Sequence, residues 1–170
     1  MDKIGLIYGS DTGMTEEVTH SLIDISSFEI EVIEADVVTP SDFDRFDKLI
    51  LGLSTWYDGD LQSDWELFFD DFKNINFSGK KVALFGLGDQ YGYGEYFIDG
   101  VGILAKVILE NGGEIKGYWS TEGYDYTESK AEIVDENLFY GLALDEDNQP
   151  ELTNDRLTEW VHQIQKEFSE

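Results

Sequence analysis

The 170-residue sequence contains no cysteine and only two histidines. The first absence excludes disulfides, thiolate metal sites, iron–sulfur ligation and a cysteine nucleophile. Positive charge is also scarce: 11 Lys and Arg stand against 37 Asp and Glu, a net charge of −26. Nucleic acids and anionic membranes are bound by displacing counterions with Lys and Arg, so neither is expected as a partner. Basic protein surfaces are the expected counterpart. No apolar run approaches the roughly 20 residues of a membrane-spanning helix, so no membrane insertion is expected. Met1-Asp2-Lys3 runs straight into a strand pattern without the long apolar stretch of a secretory leader. A cytoplasmic location is therefore expected.

What is present argues for a folded chain. Aromatic residues make up 14% and hydrophobic residues 41% of the sequence, and they fall in periodic segments. Short apolar runs at 3–8, 29–34, 48–53, 81–86 and 114–119 read as strands, with a further apolar piece at 139–144. Those beginning at Ile4, Leu49 and Val82 are continuous, as strands covered on both faces should be. Helical stripes lie between them: Val18, Leu22 and Ile25; Trp65, Phe68, Phe69 and Phe72; Ile103, Leu104, Val107 and Ile108. The last stripe is Leu157, Trp160, Val161, Ile164 and Phe168, with Thr153 or Asn154 as the expected cap. The β-α alternation implies an α/β fold with a parallel sheet between two helical layers. One domain spanning 1–170 is expected. The acidic, turn-rich stretch at about 120–140 reads as an insertion near the last strand.

Open α/β sheets bind ligands beyond the carboxyl ends of their strands. Three unusual loops leave such ends here. The first, Gly9–Thr15, gathers Ser10, Thr12 and Thr15 around Gly13, and no Lys or Arg follows until Arg45. It lacks the spacing and the Lys of a nucleotide-hydrolysing loop, yet strand, Ser/Thr/Gly turn and helix can aim N–H groups at an anion. Thr12 or Ser10 could equally cap the helix. The second loop, Ser54–Asp60, carries Trp56 and Tyr57. The third, Gly86–Gly94, holds four glycines and two tyrosines, with Tyr91 where a dinucleotide fingerprint has its last glycine. Glycines let a backbone approach a flat ligand, and aromatics stack on one.

The chain resembles long-chain flavodoxins along essentially its whole length. The resemblance rests on Ser10–Thr15, Ser54-Thr55-Trp56, Leu61–Trp65, Gly86–Tyr93, Gly117–Thr121 and Gly141–Gln149. It implies a flavodoxin-like three-layer sandwich with a five-stranded parallel sheet and an insertion in the last strand. The order 2-1-3-4-5 is carried over from the family and not read from the residues. It also implies non-covalently bound FMN and a low-potential one-electron carrier that shuttles between semiquinone and hydroquinone in place of ferredoxin. Ser10, Asp11, Thr12, Gly13, Met14 and Thr15 would form the phosphate loop. Trp56 and Tyr93 would stack on the two faces of the ring. Ser54, Thr55, Tyr57, Asp58, Gly59, Leu87, Gly88, Asp89 and Tyr96 would surround it, with Asp147 on the ribityl side. The phosphate is then an anchor only, which is why no cation accompanies it.

Met14 stands where the family usually has a polar residue, and Leu87 where Thr is common. Neither Tyr57 nor Asp58 is the glycine that eases the family's redox-linked peptide flip, so only moderate semiquinone stabilisation is expected. Asp58, Asp60, Asp64 and Glu66 crowd the ring loop without a cation, a field that disfavours added negative charge. The competing enzyme reading is an FMN-dependent NAD(P)H or quinone reductase of related fold, for which no basic nicotinamide-nucleotide pocket is evident. A receiver-type phosphoacceptor would want an Asp where Ser54 and Thr55 stand. His20 and His162 are expected at the surface, not as general bases. The Asp145–Asp147 cluster lacks the glycine and distant Glu of a calcium loop. No metal is expected. Partners implied by the resemblance are ferredoxin–NADP reductase, photosystem I and ferredoxin-dependent reductases, met by a monomer.

Overall fold

A computed structural model describes residues 3–56 and 58–170, apart from the side chain of Trp56. In chain order the elements are β1 (Ile4–Tyr8), α1 (Met14–Ile25), β2 (Ile30–Glu34), α2 (Pro40–Asp44), β3 (Lys48–Trp56) and β4 (Asp60–Leu61). There follow α3 (Ser63–Phe72), β5 (Lys81–Leu87), α4 (Asp99–Glu110), β6 (Glu114–Lys116), β7 (Trp119–Ser120) and β8 (Glu132–Ile133). The chain closes with β9 (Leu138–Phe139), β10 (Leu142–Leu144) and α5 (Thr153–Glu167).

The continuous apolar runs form the centre of the sheet, and β1 is buried along its whole length. The parallel order is β2-β1-β3-β5, with the last position filled twice. β6 pairs with the first half of β5 (Val82 opposite Ile115), and β10 pairs with the second half (Ala143 opposite Gly86). This is the order 2-1-3-4-5 with its fifth strand split. β4 folds back antiparallel on the end of β3, Thr55 opposite Leu61. The sheet therefore counts seven segments among the described residues, not five.

Each face has its own apolar core. Phe43, Trp65, Phe72, Phe77, Val101 and Leu104 cover one side, and Leu22, Phe85, Leu157, Trp160, Ile164 and Phe168 the other. The five expected strands begin within one residue of the predicted start and end within three of the predicted end. The fifth is shorter, stopping at Lys116. Gly117 takes φ +79°, and a side chain there would strike the Trp160 indole, whose Nε1 donates to the Gly117 carbonyl at 2.9 Å. The chain turns away at that point, and Trp119 joins a separate three-stranded sheet, β7-β9-β8.

This split of the fifth strand lets the intervening residues pack on the main body through aromatic rings. Phe97, Tyr124, Tyr126 and Phe139 lie with neighbouring centroids 5.3 to 5.9 Å apart. The Trp119 indole donates to the Tyr124 hydroxyl at 3.0 Å, and Arg156 lies 4.2 Å over the Tyr124 ring. Burial pushes the Tyr124 phenol up to about 12.

Two helix starts depart from the sequence reading. Neither Thr153 nor Asn154 caps α5, because a 3₁₀ turn over Pro150–Leu152 precedes the helix and leaves Leu152 at the cap position. Helix α2 has one apolar residue and no periodicity to reveal it. It is held by Pro40 in the first turn and by the Thr39 N–H, which donates to Asp42 Oδ2 at 2.8 Å.

Candidate functional site

The carboxyl ends of β1, β3, β5 and β10 converge on one cavity. Thr12, Met14, Thr15, Ser54, Thr55, Leu87, Gly88, Asp89 and Asp147 line it among the described residues, and all nine were singled out in the sequence. No Lys or Arg does so. Glu146 lines it too; sequence reading passed over it because its acidic neighbours in the Asp145–Asp147 turn carried no sign of which one faces inward.

The first loop leaves its donors open. Gly13 takes φ +90° at the N-cap of α1, a conformation for which glycine is suited. Ser10 Oγ accepts the Gly13 N–H at 3.0 Å and so closes the turn. The first intrahelical bond runs from Glu17 N–H to the Gly13 carbonyl at 3.0 Å, and no side chain caps the helix. The N–H groups of Met14, Thr15 and Glu16 thus face outward from the positive end of α1. The alternative reading of Ser10 or Thr12 as the side-chain cap does not hold.

Asp11 points elsewhere. Its Oδ1 accepts Gln62 Nε2 at 3.0 Å and the Ser63 hydroxyl at 2.6 Å, tying the loop to the start of α3. Gln62 is fully buried, and its Oε1 accepts the Trp65 N–H at 3.3 Å. Gly9 makes room for it, since a Cβ there would sit 1.8 Å from Gln62 Oε1. Gln62 was not read as part of the site, although it lies in the Leu61–Trp65 run. Ser10, Asp11 and Gly13 border a second recess beside Tyr8, Glu16 and Glu34.

The third loop is tied from beneath. The Tyr91 and Gly92 N–H groups donate to Asp89 Oδ1 at 3.1 and 2.7 Å, and Tyr93 N–H to the Asp89 carbonyl at 3.0 Å. Burial alone would raise the Asp89 carboxyl, but the donors from Gly92, Asn148 and Tyr91 outweigh it and hold it below the usual carboxylate range. Asp145, wholly buried, accepts Gln90 N–H and Nε2 on Oδ2 (3.1 and 2.7 Å) and Asn148 N–H on Oδ1 (3.0 Å). That carboxylate organises a turn. Burial, then the charges of Asp89 and Asp145, push Asp147 up. Tyr93 is half-buried in this loop.

The second loop is braced by α4. Thr55 Oγ1 accepts the Gly100 N–H at 2.9 Å. Gly59 is buried against Tyr96 and Asp99, while Asp58 is exposed. Asp99 is 1% exposed, accepts Lys130 N–H at 2.8 Å, and is raised by burial against that hydrogen bond. Ile98, the N-cap of α4, takes φ +45°, a strained conformation for a β-branched residue. Tyr96 borders a recess with Asp99 and Ser129 and not the cavity itself. Tyr57 and the Trp56 side chain lie outside the described residues. His20 and His162 are exposed on α1 and α5.

The family model for flavodoxin matches residues 6–160. The chain belongs to the flavodoxin family. It is 49% identical to a flavodoxin of Synechococcus elongatus over 170 residues, covering 99% of each. It is 44% identical to flavodoxin 2 of Escherichia coli, covering 99% of this chain and 98% of that one. A crystal structure of Fusobacterium nucleatum flavodoxin bound to flavin mononucleotide superposes with TM-score 0.92 at 33% identity, covering 98% of this chain and 99% of that one. In this flavodoxin Met14 and Leu87 stand on the wall of the strand-end cavity.

Proposed function

We propose that this flavodoxin is a low-potential one-electron carrier working through non-covalently bound FMN. The observation that carries the reading is the cavity where three strand-end loops meet at an uncapped helix N-terminus, with no cation on its described walls. The donor set fits FMN. The N–H groups of Met14, Thr15 and Glu16, with the hydroxyls of Thr12 and Thr15, would hold the phosphate, and Ser10, Asp11 and Gly13 would shape the loop. Ser54, Thr55, Leu87, Gly88 and Asp89 would line the ring, with Trp56 and Tyr93 as its stacking pair. Tyr57, Asp58 and Gly59 would flank it, Tyr96 would back that loop, and Asp147 would meet the ribityl chain.

Bound FMN supplies reversible one-electron redox chemistry. The chain's own part is to orient the group, exclude water and set its field. Asp89, Glu146 and Asp147 line the cavity, and Asp58 and Asp60 are exposed on the second loop. A unit charge 8 Å from a site at an effective dielectric of 20 raises the energy of an added negative charge by about 2 kcal/mol, less where screened. Several such charges favour giving the electron away.

The partners of such a carrier are redox proteins. We infer basic-surfaced ones, ferredoxin–NADP reductase, photosystem I or ferredoxin-dependent reductases, met by a monomeric, cytoplasmic protein. The acidic stretches 58–71 and 122–147 support electrostatic docking that weakens with salt. No helix of the described residues is long and apolar enough to cross a membrane.

Anaerobic stepwise reduction followed by absorbance tests the reading. Protein that purifies yellow and is reduced in two resolved one-electron steps is expected. Colourless protein that takes up no FMN would overturn it. Steady NADPH oxidation by the pure protein would assign it to the reductases instead.

A further inference from the structure

Cations are rare here, and most are occupied. Lys3 pairs with Glu29 and Glu31, Arg45 with Glu31 and Asp42, and Lys116 with Glu114. Lys80 donates to the Phe46 carbonyl at 2.7 Å, and Arg156 lies over Tyr124. Lys106 and Lys130 are different. Both are exposed and without an ion pair among the described residues in a chain with 37 carboxylates, as is Lys166 on α5, but only these two lie together.

These two lysines border the same groove, between α3, α4 and the segment 130–140. A third, Lys73, joins them; it pairs with the highly exposed Asp70 at 3.2 Å and lies 5.6 Å over the Phe69 ring. The groove encloses about 800 Å³. Its walls are apolar: Phe69 from α3, Ile103 and Val107 from α4, and Tyr140 beyond β9. Two carboxylates share the rim, Glu110 and Glu132, and Glu132 Oε1 is engaged by the Tyr126 hydroxyl. Among the lining residues lysines outnumber carboxylates three to two, against 11 Lys and Arg to 37 Asp and Glu in the whole chain. Asp70 answers Lys73 from outside the groove. The groove shares no lining residue with the strand-end cavity.

We propose that this groove binds a small amphipathic organic anion, an aliphatic or aromatic carboxylate or sulfonate. Its volume lies in the range of small-molecule sites, roughly 300–1,000 Å³. The apolar walls would take the hydrocarbon body, and Lys106 and Lys130 the charged head. A neutral hydrophobe would gain nothing from the two ammonium groups, and a cation would be repelled by them. The site is formed jointly by two helices and the segment inserted in the last strand, so it exists only in the folded, long form of the chain.

Amide NMR of the FMN-loaded protein titrated with 1-octanesulfonate tests this. Saturable shifts confined to α3, α4 and residues 130–140 are expected. The double variant K106Q/K130Q, whose substitutions are at exposed positions, should weaken binding by about fivefold or more, and 1-octanol should bind the native protein similarly weakly. K166Q, which removes a cation outside the groove, should leave the affinity unchanged. Absence of saturation, shifts centred on residues 12–15 and 87–89, or equal affinity of K106Q/K130Q would overturn the proposal. So would equal binding of 1-octanol. A dimer in sedimentation that K106Q/K130Q disperses, with no saturable binding of 1-octanesulfonate, would assign the groove to a second copy of the chain.

Discussion

The loop before α1 and the loop after β5 meet at one cavity but are built on opposite plans. In residues 10–13 only the Gly13 N–H is used within the loop, on Ser10 Oγ, and the next three N–H groups are left without an internal acceptor. In residues 89–93 the N–H groups of Gln90, Tyr91, Gly92 and Tyr93 are all engaged, three by Asp89 and one by Asp145. A loop with open donors can grip an anion with its backbone. A loop whose donors are satisfied can offer only side-chain faces and shape. The difference is what the proposed site needs to take a phosphate and a flat ring with no cation among its described lining residues.

The largest expected effect tests the internally bonded loop. Asp145→Ala strands the Gln90 and Asn148 donors in a buried place and should lower stability by about 3 kcal/mol, read by urea unfolding. A loss under about 1 kcal/mol would mean the loop does not depend on that carboxylate. Next, Gln62→Ala removes both the α3 cap and the tether to Asp11. It should cost about 2 kcal/mol, and it should weaken FMN more than riboflavin, which lacks the phosphate. Equal weakening of both would show that the tether supports the whole site and not the first loop.

A smaller effect sharpens the contrast at one hydroxyl. Thr15→Val keeps the shape of a residue that is 2% exposed and removes a donor. FMN should bind about tenfold more weakly while riboflavin binds as before, measured by flavin fluorescence quenching. A matching loss for riboflavin would place Thr15 against the ring.

The smallest effects concern pH and have opposite signs. Burial holds the folded Asp99 carboxyl above its ordinary value of about 4. Between those two values the native state binds more protons than the unfolded chain, so stability falls as pH rises through the interval. Asp99→Asn keeps an acceptor for Lys130 N–H and should gain on the native protein with rising pH there. Hydrogen bonds hold Asp89 low, so its contribution is present above the ordinary value and is lost as pH falls through the folded one. Asp89→Asn should therefore fall behind the native protein as pH rises from acid. Urea midpoints across pH check both, and parallel curves would remove the assignment.

Much of this molecule was readable in advance because its signals are local. Continuous apolar runs at Ile4, Leu49 and Val82 mark strands buried on both faces, and β-α alternation forces parallel pairing. Ser, Thr and Gly at a strand end suggest an anion loop, with a side-chain helix cap as the equal alternative, which the uncapped start of α1 removes. Other features depend on residues far apart in sequence. Gln62 reads as an ordinary polar residue until folding buries it under Gly9 and beside Asp11, 51 positions away. Asp145 looks like a solvated acid until Gln90 meets it from 55 positions off. Gly117 stops the fifth strand because Trp160, on the last helix, fills the space a side chain would need.

The sequence alone determined the layers and the acidic surface, since periodicity and charge act over a few residues. Tertiary structure decided which acids are buried and hydrogen-bonded, which loop keeps its donors open, and where Lys106 and Lys130 come to share a groove. Burial and hydrogen-bond partnership belong to pairs of segments, and only the folded chain makes the pairs.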